Sequence, residues 1–206
     1  MEMLDYYDEN GKYLGFASRE EVHAKGLWHN TVHCWLYNTN GEVFFQIRKD
    51  TNTLYTTASG HVAKGEKITD AFQREIKEEI GLNIDSSDAV LVDIVTWKMD
   101  KIKKDGSVFS DRAKANVYID LYEGNYDDFD FDENEVLGIV LVDAKKTKDL
   151  FENGKGSIKG KRITKQGMEV VDVSNEDFLV NEFETAIGKY GKILDKIIEL
   201  TNKDIK

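Results

Sequence analysis

The chain has 206 residues, 40% hydrophobic, 11% aromatic and 33% charged, long enough to bury one core with elaborations and too apolar for a disordered polymer. Acids outnumber bases by 39 to 28, and the net charge of −11 excludes nucleic acid and anionic membranes as main partners by repulsion over the whole surface. The single Cys34 excludes an internal disulfide, and no apolar run is long enough for a transmembrane helix. The first residues, MEMLDYYDENGKYLG, show neither a basic leader nor an apolar core, so a cytoplasmic protein is expected.

Apolar stretches near residues 2–7 and 12–17 flank Glu9-Asn10-Gly11 and predict an N-terminal hairpin within residues 1–17. Ser18 with Glu21 has the spacing of a capping box, which starts a short helix over about 19–25. Strands over 30–38 and 42–48 are joined at Asn40-Gly41, a hairpin dipeptide. A helix over about 70–80 follows, with Thr69 as its expected N-cap and Gly81 as its stop. Strands are expected at about 89–98, 114–122 and 135–142, then a helix at about 144–152. Residues 153–167, with Lys155, Lys159, Lys161, Arg162, Lys165 and four glycines, read as a basic loop. A last helix over about 176–202 would pack a face of Phe183, Ile187, Tyr190, Leu194 and Ile197. The element order predicts an α/β layered domain over 1–152, with 153–206 as a loop and helix packing on it.

The chemistry concentrates between Gly60 and Leu82, GHVAKGEKITDAFQREIKEEIGL. On a helical wheel with Glu75 at zero, Glu78 falls near about −60° and Glu79 near about +40°, so three carboxylates share one fan. Phe72, Ile76 and Ile80 form the adjoining apolar stripe, so the acids border the core. Like charges at this spacing oppose the helix by roughly 0.2–0.5 kcal/mol per pair, and the dipole disfavours anions in its last turn. A divalent cation removes the conflict, since several oxygen ligands from one face are what hard Mg²⁺ requires.

This stretch carries G-x5-E-x7-R-E-U-x-E-E-x-G-U, with U aliphatic, at Gly60, Glu66, Arg74, Glu75, Ile76, Glu78, Glu79, Gly81 and Leu82. Chance would supply it in such a chain about once in ten million. The chain therefore resembles the Nudix superfamily. The resemblance implies an α/β/α sandwich with a mixed sheet, and hydrolysis of a diphosphate linkage in a nucleoside diphosphate derivative or related small molecule. It implies Mg²⁺, or Mn²⁺ in its place, held by Glu75 and Glu79 with Glu78 close by and the Gly60 carbonyl contributing. Glu66 and Arg74 would brace the loop against the helix, and Glu75 or Glu78 would accept the proton of the attacking water. Asp111, Glu123 and Glu135 are acids outside the box that could serve instead.

Residues 3–145 also resemble the isopentenyl-diphosphate-isomerase-like branch, which holds true isomerases and plain diphosphate hydrolases. The isomerases use a Cys before the Gly-His pair and a Glu on a later strand. Here those positions are Ser59 and Ala113, which favours hydrolysis. His29 and His61, and less closely His23, fall near positions where the isomerases bind a second metal, against a plainer reading as hydrogen-bonded core histidines. Cys34 should point away from His33. Arg48 matches an Arg of the branch and is the candidate phosphate clamp. Lysines of 98–106 and 153–167 could flank the cleft, and Trp28, Trp35 or Trp97 could stack a base. A non-catalytic nucleotide sensor is the other alternative, and a homodimer through the last helix is compatible with each.

Overall fold

The computed structural model describes residues 1–179 and 186–203. β1 (Met3–Tyr7) and β2 (Tyr13–Ser18) form the expected hairpin, and Ser18 Oγ accepts from the Glu21 amide to start α1 (Arg19–Lys25). β3 (Trp28–Tyr37) and β4 (Glu42–Arg48) pair only at their ends, Leu36 with Phe44 and Tyr37 with Val43. Beyond that point they part. β4 runs along β9 (Val136–Asp143), while β3 pairs with β6 (Ala58–His61) and, in parallel, with β8 (Val108–Leu121). β5 (Leu54–Tyr55) edges β4, and β7 (Val90–Ile102) edges β8.

The fork between β3 and β4 is filled by α2 (Ile68–Ile80). Its Ala71, Phe72, Ile76 and Ile80 pack on Val32, Cys34 and Leu36 of β3 and on Phe44 of β4. The opposite face carries Trp35, Phe45, Val140 and Val142 beneath α3 (Ala144–Asn153) and α4 (Ala186–Lys203). With helices on both faces β4 is buried from Val43 to Ile47, which explains its run VFFQI, apolar but for Gln46. The architecture is the mixed α/β sandwich of the sequence reading.

Three expectations change. α2 starts at Ile68, because the Lys67 carbonyl already accepts from the Asp70 and Ala71 amides; Lys67 is the N-cap and Thr69 lies inside the first turn. Residues 153–167 are no loop: β10 (Ser157–Thr164) pairs with β9 and with β11 (Gly167–Ser174). Ile163 enters the core beneath α2 and Ile158 packs on the opposite cluster, while Lys159, Lys161 and Arg162 pair with Asp172, Glu42 and Glu169, so the bases hide a strand with one apolar residue on each face. Of the last helix expected over 176–202, Ala186–Lys203 is described as helix, and residues 180–185 lie outside the described residues. Residues 175–177 form a single 3₁₀ turn, and Phe178 bridges to Leu54. Leu194 and Ile197 are buried and Tyr190 is half-buried, as the stripe requires, while Phe183 lies outside the described residues.

Candidate active site

A cavity of about 990 Å³ opens where β3 and β4 separate. Glu75, Glu78 and Glu79 of α2 line one flank, with Arg74 beside them. The Arg74 guanidinium donates to Glu66 Oε1 and Oε2 at 2.8 and 3.0 Å, to Glu75 Oε1 at 2.6 Å, to Glu78 Oε2 at 3.0 Å and to the His61 carbonyl at 2.8 Å. Glu66 also accepts from the Ala63 amide at 2.8 Å, tying loop to helix. Burial alone would raise the Glu66 carboxyl, but bonds from Arg74 and Ala63 outweigh it and hold it below its ordinary value.

Glu75 and Glu79 are in a different state. Burial pushes Glu75 up to about 7, with Arg74 opposing and Glu78 reinforcing. Burial and then the Glu75 charge push Glu79 well above the usual carboxylate range. Glu79 accepts from Gln46 Nε2 at 3.1 Å and from the Ser59 amide at 3.2 Å. Gly60 leaves room for this: a Cβ there would stand 2.1 Å from the Glu75 carboxylate. At the helix end Gly81 has φ +78, and a Cβ would stand 2.7 Å from that of Asp130. Two buried carboxyls held against each other, beside a carbonyl-bearing loop, form a hard oxygen donor set that a divalent cation fits.

Arg48 also lines the cavity, but its guanidinium is engaged by Asp50 at 3.0 and 2.9 Å and lies 5.5 Å over the Tyr55 ring. Of the outside acids, Glu135 and Asp111 line the cavity, whereas Glu123 accepts from the Thr39 amide elsewhere. None of the bases of 153–167 lines it; Lys101 does, while Lys98 pairs with Glu9. Trp97 lines the cavity, Trp35 is core, and Trp28 lies under Lys98 and Lys114. Cys34 is fully buried with its thiol pushed up by burial, away from His33 as expected. Gln46 and Tyr55 were missed. A glutamine inside the apolar run VFFQI was the signal for Gln46.

A second polar cluster gathers His23 from α1, His29 from β3 and His61 from β6, with ligand atoms within 4.8 Å of one another. Asp111 Oδ1 is 3.6 Å from His29 Nε2 and 4.0 Å from His23 Nε2. His29 Nδ1 contacts the Leu27 carbonyl at 3.0 Å, yet His29 Nε2 and Asp111 Oδ1 are buried without a hydrogen bond. The core hydrogen bond of the plainer reading is present at His29 Nδ1, and His33 Nε2 has one with Tyr55 Oη. Burial holds His61 down to about 2 and lowers His29. This trio could hold a transition metal.

Residues 27–157 match the family model described as NUDIX domain. An uncharacterized Nudix hydrolase of Clostridium acetobutylicum is 30% identical over 95% of this chain and 88% of its own length. One of Listeria innocua is 36% identical over 85% of this chain and 88% of its own. An isopentenyl-diphosphate Delta-isomerase of Mycolicibacterium vanbaalenii is 29% identical over 59% of this chain and 73% of its own. A crystal structure of a Deinococcus radiodurans protein superposes with a TM-score of 0.53 at 20% identity, covering 75% of this chain and 91% of that one, a likeness of fold.

Proposed function

This chain belongs to the Nudix domain family of hydrolases acting on pyrophosphate bonds, and on that premise we propose that it is a Mg²⁺-dependent hydrolase of a small diphosphate, in a nucleoside diphosphate derivative or a related compound. The observation that carries this is the set of three α2 carboxylates lining one cavity, two of them buried and pushed up, with Glu75 and Glu78 held by Arg74 and Glu79 held by Gln46 and the Ser59 amide. Glu75, Glu79, Glu78 and the Gly60 carbonyl would hold the cation, with Mn²⁺ able to replace Mg²⁺. Once bound, the ion supplies a Lewis acid that lowers the pKa of water and offsets phosphoryl charge.

The chain's own groups do the rest. Arg74 and Glu66 keep the carboxylates in position. Glu75 takes the proton from the attacking water, with Glu78 as the alternative. Arg48 receives a phosphate by exchanging it for Asp50. The reading includes a cytoplasmic location, and a homodimer is compatible with it. Among the described residues no helix is long and apolar enough to cross a membrane.

The histidine trio favours a second reading, isomerisation of an allylic diphosphate. Against it, Ser59 and Ala113 both line the cavity, and neither can deliver a proton to an alkene. The test is incubation with Mg²⁺ and a panel of nucleoside diphosphates, nucleotide sugars, dinucleotides, and isoprenoid and thiamine diphosphates, beside Glu79→Gln, with products read by mass spectrometry. Cleavage of the diphosphate linkage that the variant loses supports hydrolysis. An allylic isomer supports the second reading, and tight binding without turnover points to a sensor.

A further inference from the structure

Gln46 is 2% exposed and stands in β4 between Phe45 and Ile47, which belong to the core on the other face of the sheet. Side chains alternate along a strand, so Gln46 points the same way as Phe44, toward α2. Across the sheet it opposes Tyr55 of β5 and Ile139 of β9. A primary amide in such a place is costly unless it is hydrogen-bonded, and an aliphatic side chain would fill the same space without that cost. Its Nε2 donates to Glu79 Oε2 at 3.1 Å, and the Ser59 amide donates to the same oxygen at 3.2 Å. Two donors fill the lone-pair sites of Oε2 and leave those of Oε1 for another partner. Glu75 is held in a similarly one-sided way, with Arg74 on its Oε1.

Arg74 braces its carboxylates by charge, which also weakens their pull on a cation. Gln46 is neutral, so it orients Glu79 and leaves the carboxylate's charge for the ion. We propose that Gln46 is a positioning residue that, with the Ser59 amide, makes Glu79 a one-oxygen ligand and so sets the preference of the site for Mg²⁺ over Ca²⁺. Mg²⁺ favours single oxygens in a near-octahedron, whereas the larger Ca²⁺ takes about six to eight and readily accepts both oxygens of one carboxylate. An oxygen closed by two donors denies Ca²⁺ that second contact. The inference deepens the diphosphate hydrolase reading and rests on it for Glu79 as a ligand of the cation.

The test counts free Mn²⁺ by its electron paramagnetic resonance signal as the whole chain is titrated, with Mg²⁺ and Ca²⁺ as competitors. The binding that Glu79→Gln removes defines the site and separates it from any ion on the histidine trio. Gln46→Met, which keeps the length and loses the donor, should weaken Mn²⁺ there about 10- to 100-fold. It should weaken Ca²⁺ less, so that the preference for Mg²⁺ over Ca²⁺ narrows. Equal losses for all three ions would mean that Gln46 only supports the fold, and unchanged affinities that it does not act on Glu79; either overturns the proposal. If Gln46→Met fails to fold, the wild type still decides, because Ca²⁺ displacing Mn²⁺ as readily as Mg²⁺ does would overturn it. Turnover of diphosphates is scored separately. Turnover with an unaltered ion preference in Gln46→Met overturns the role of Gln46 alone. The narrowed preference without turnover upholds that role and sinks the hydrolase reading, and a wild type with no Glu79-dependent Mn²⁺ overturns both.

Discussion

On the α2 flank of the cavity, one guanidinium distributes its donors among Glu66, Glu75, Glu78 and a carbonyl. On the α1 flank, His23, His29, His61 and Asp111 crowd together with His29 Nε2 and Asp111 Oδ1 left without hydrogen bonds. The first is braced by charged hydrogen bonds, while in the second burial disfavours the charged forms of His29 and His61, and Phe109 stacks 4.6 Å from His23. A buried charge needs a partner to persist, whereas a neutral imidazole carries only the smaller cost of an unpaired ring nitrogen. The two flanks should therefore respond in opposite ways to substitution and to pH.

The largest expected effect is on turnover. Glu79→Gln should lower kcat/KM for the cleaved diphosphate about 10³-fold while raising the metal-free Tm at neutral pH, because burial there disfavours the ionised carboxylate that the unfolded chain prefers. Retained turnover, measured with purified protein, would break the assignment of this flank. Next comes Arg74→Met, which leaves Glu66, Glu75 and Glu78 uncompensated. Chemical denaturation should show a loss of about 2–3 kcal/mol, reduced from the fully buried case because the arginine remains partly exposed. A change near zero would mean the brace holds nothing.

pH should separate the flanks by sign. Glu75 sits near 7 when folded against an ordinary 4.5, so the folded state binds a proton there that the unfolded chain releases. Its contribution is full below about pH 4.5 and is lost as pH rises to about 7. His61 sits near 2 against 6.5, so its contribution is present above 6.5 and is lost as pH falls below that. In chelator, Glu75→Gln should flatten the upper part of the Tm profile and His61→Gln the acid part. Parallel profiles for all three proteins would erase the distinction.

Smaller effects sharpen it. Asp111→Asn removes no hydrogen bond of its Oδ1, so a stability change under about 1 kcal/mol is expected by thermal denaturation. A larger loss would show that the histidine flank is braced after all. Lys67→Ser adds the side-chain cap that α2 lacks and should stabilise by about 0.5–1 kcal/mol without altering turnover. An activity change there would mean that strain at the helix start matters to the carboxylates.

The sequence by itself determined the braced flank, because Gly60, Glu66, Arg74, Glu75, Glu78 and Glu79 lie within one loop and helix whose geometry follows from spacing along the chain. The same local logic gave the N-terminal hairpin, the Ser18 cap and the Gly81 stop. Where paired bases interrupted the apolar period, as at 157–174, the local signal failed and a hairpin read as a loop. The histidine flank was decided only by tertiary structure. His23, His29, His61 and Asp111 come from four elements. Strand register and helix docking are set by burial summed over the whole core, a long-range balance that no window of residues contains.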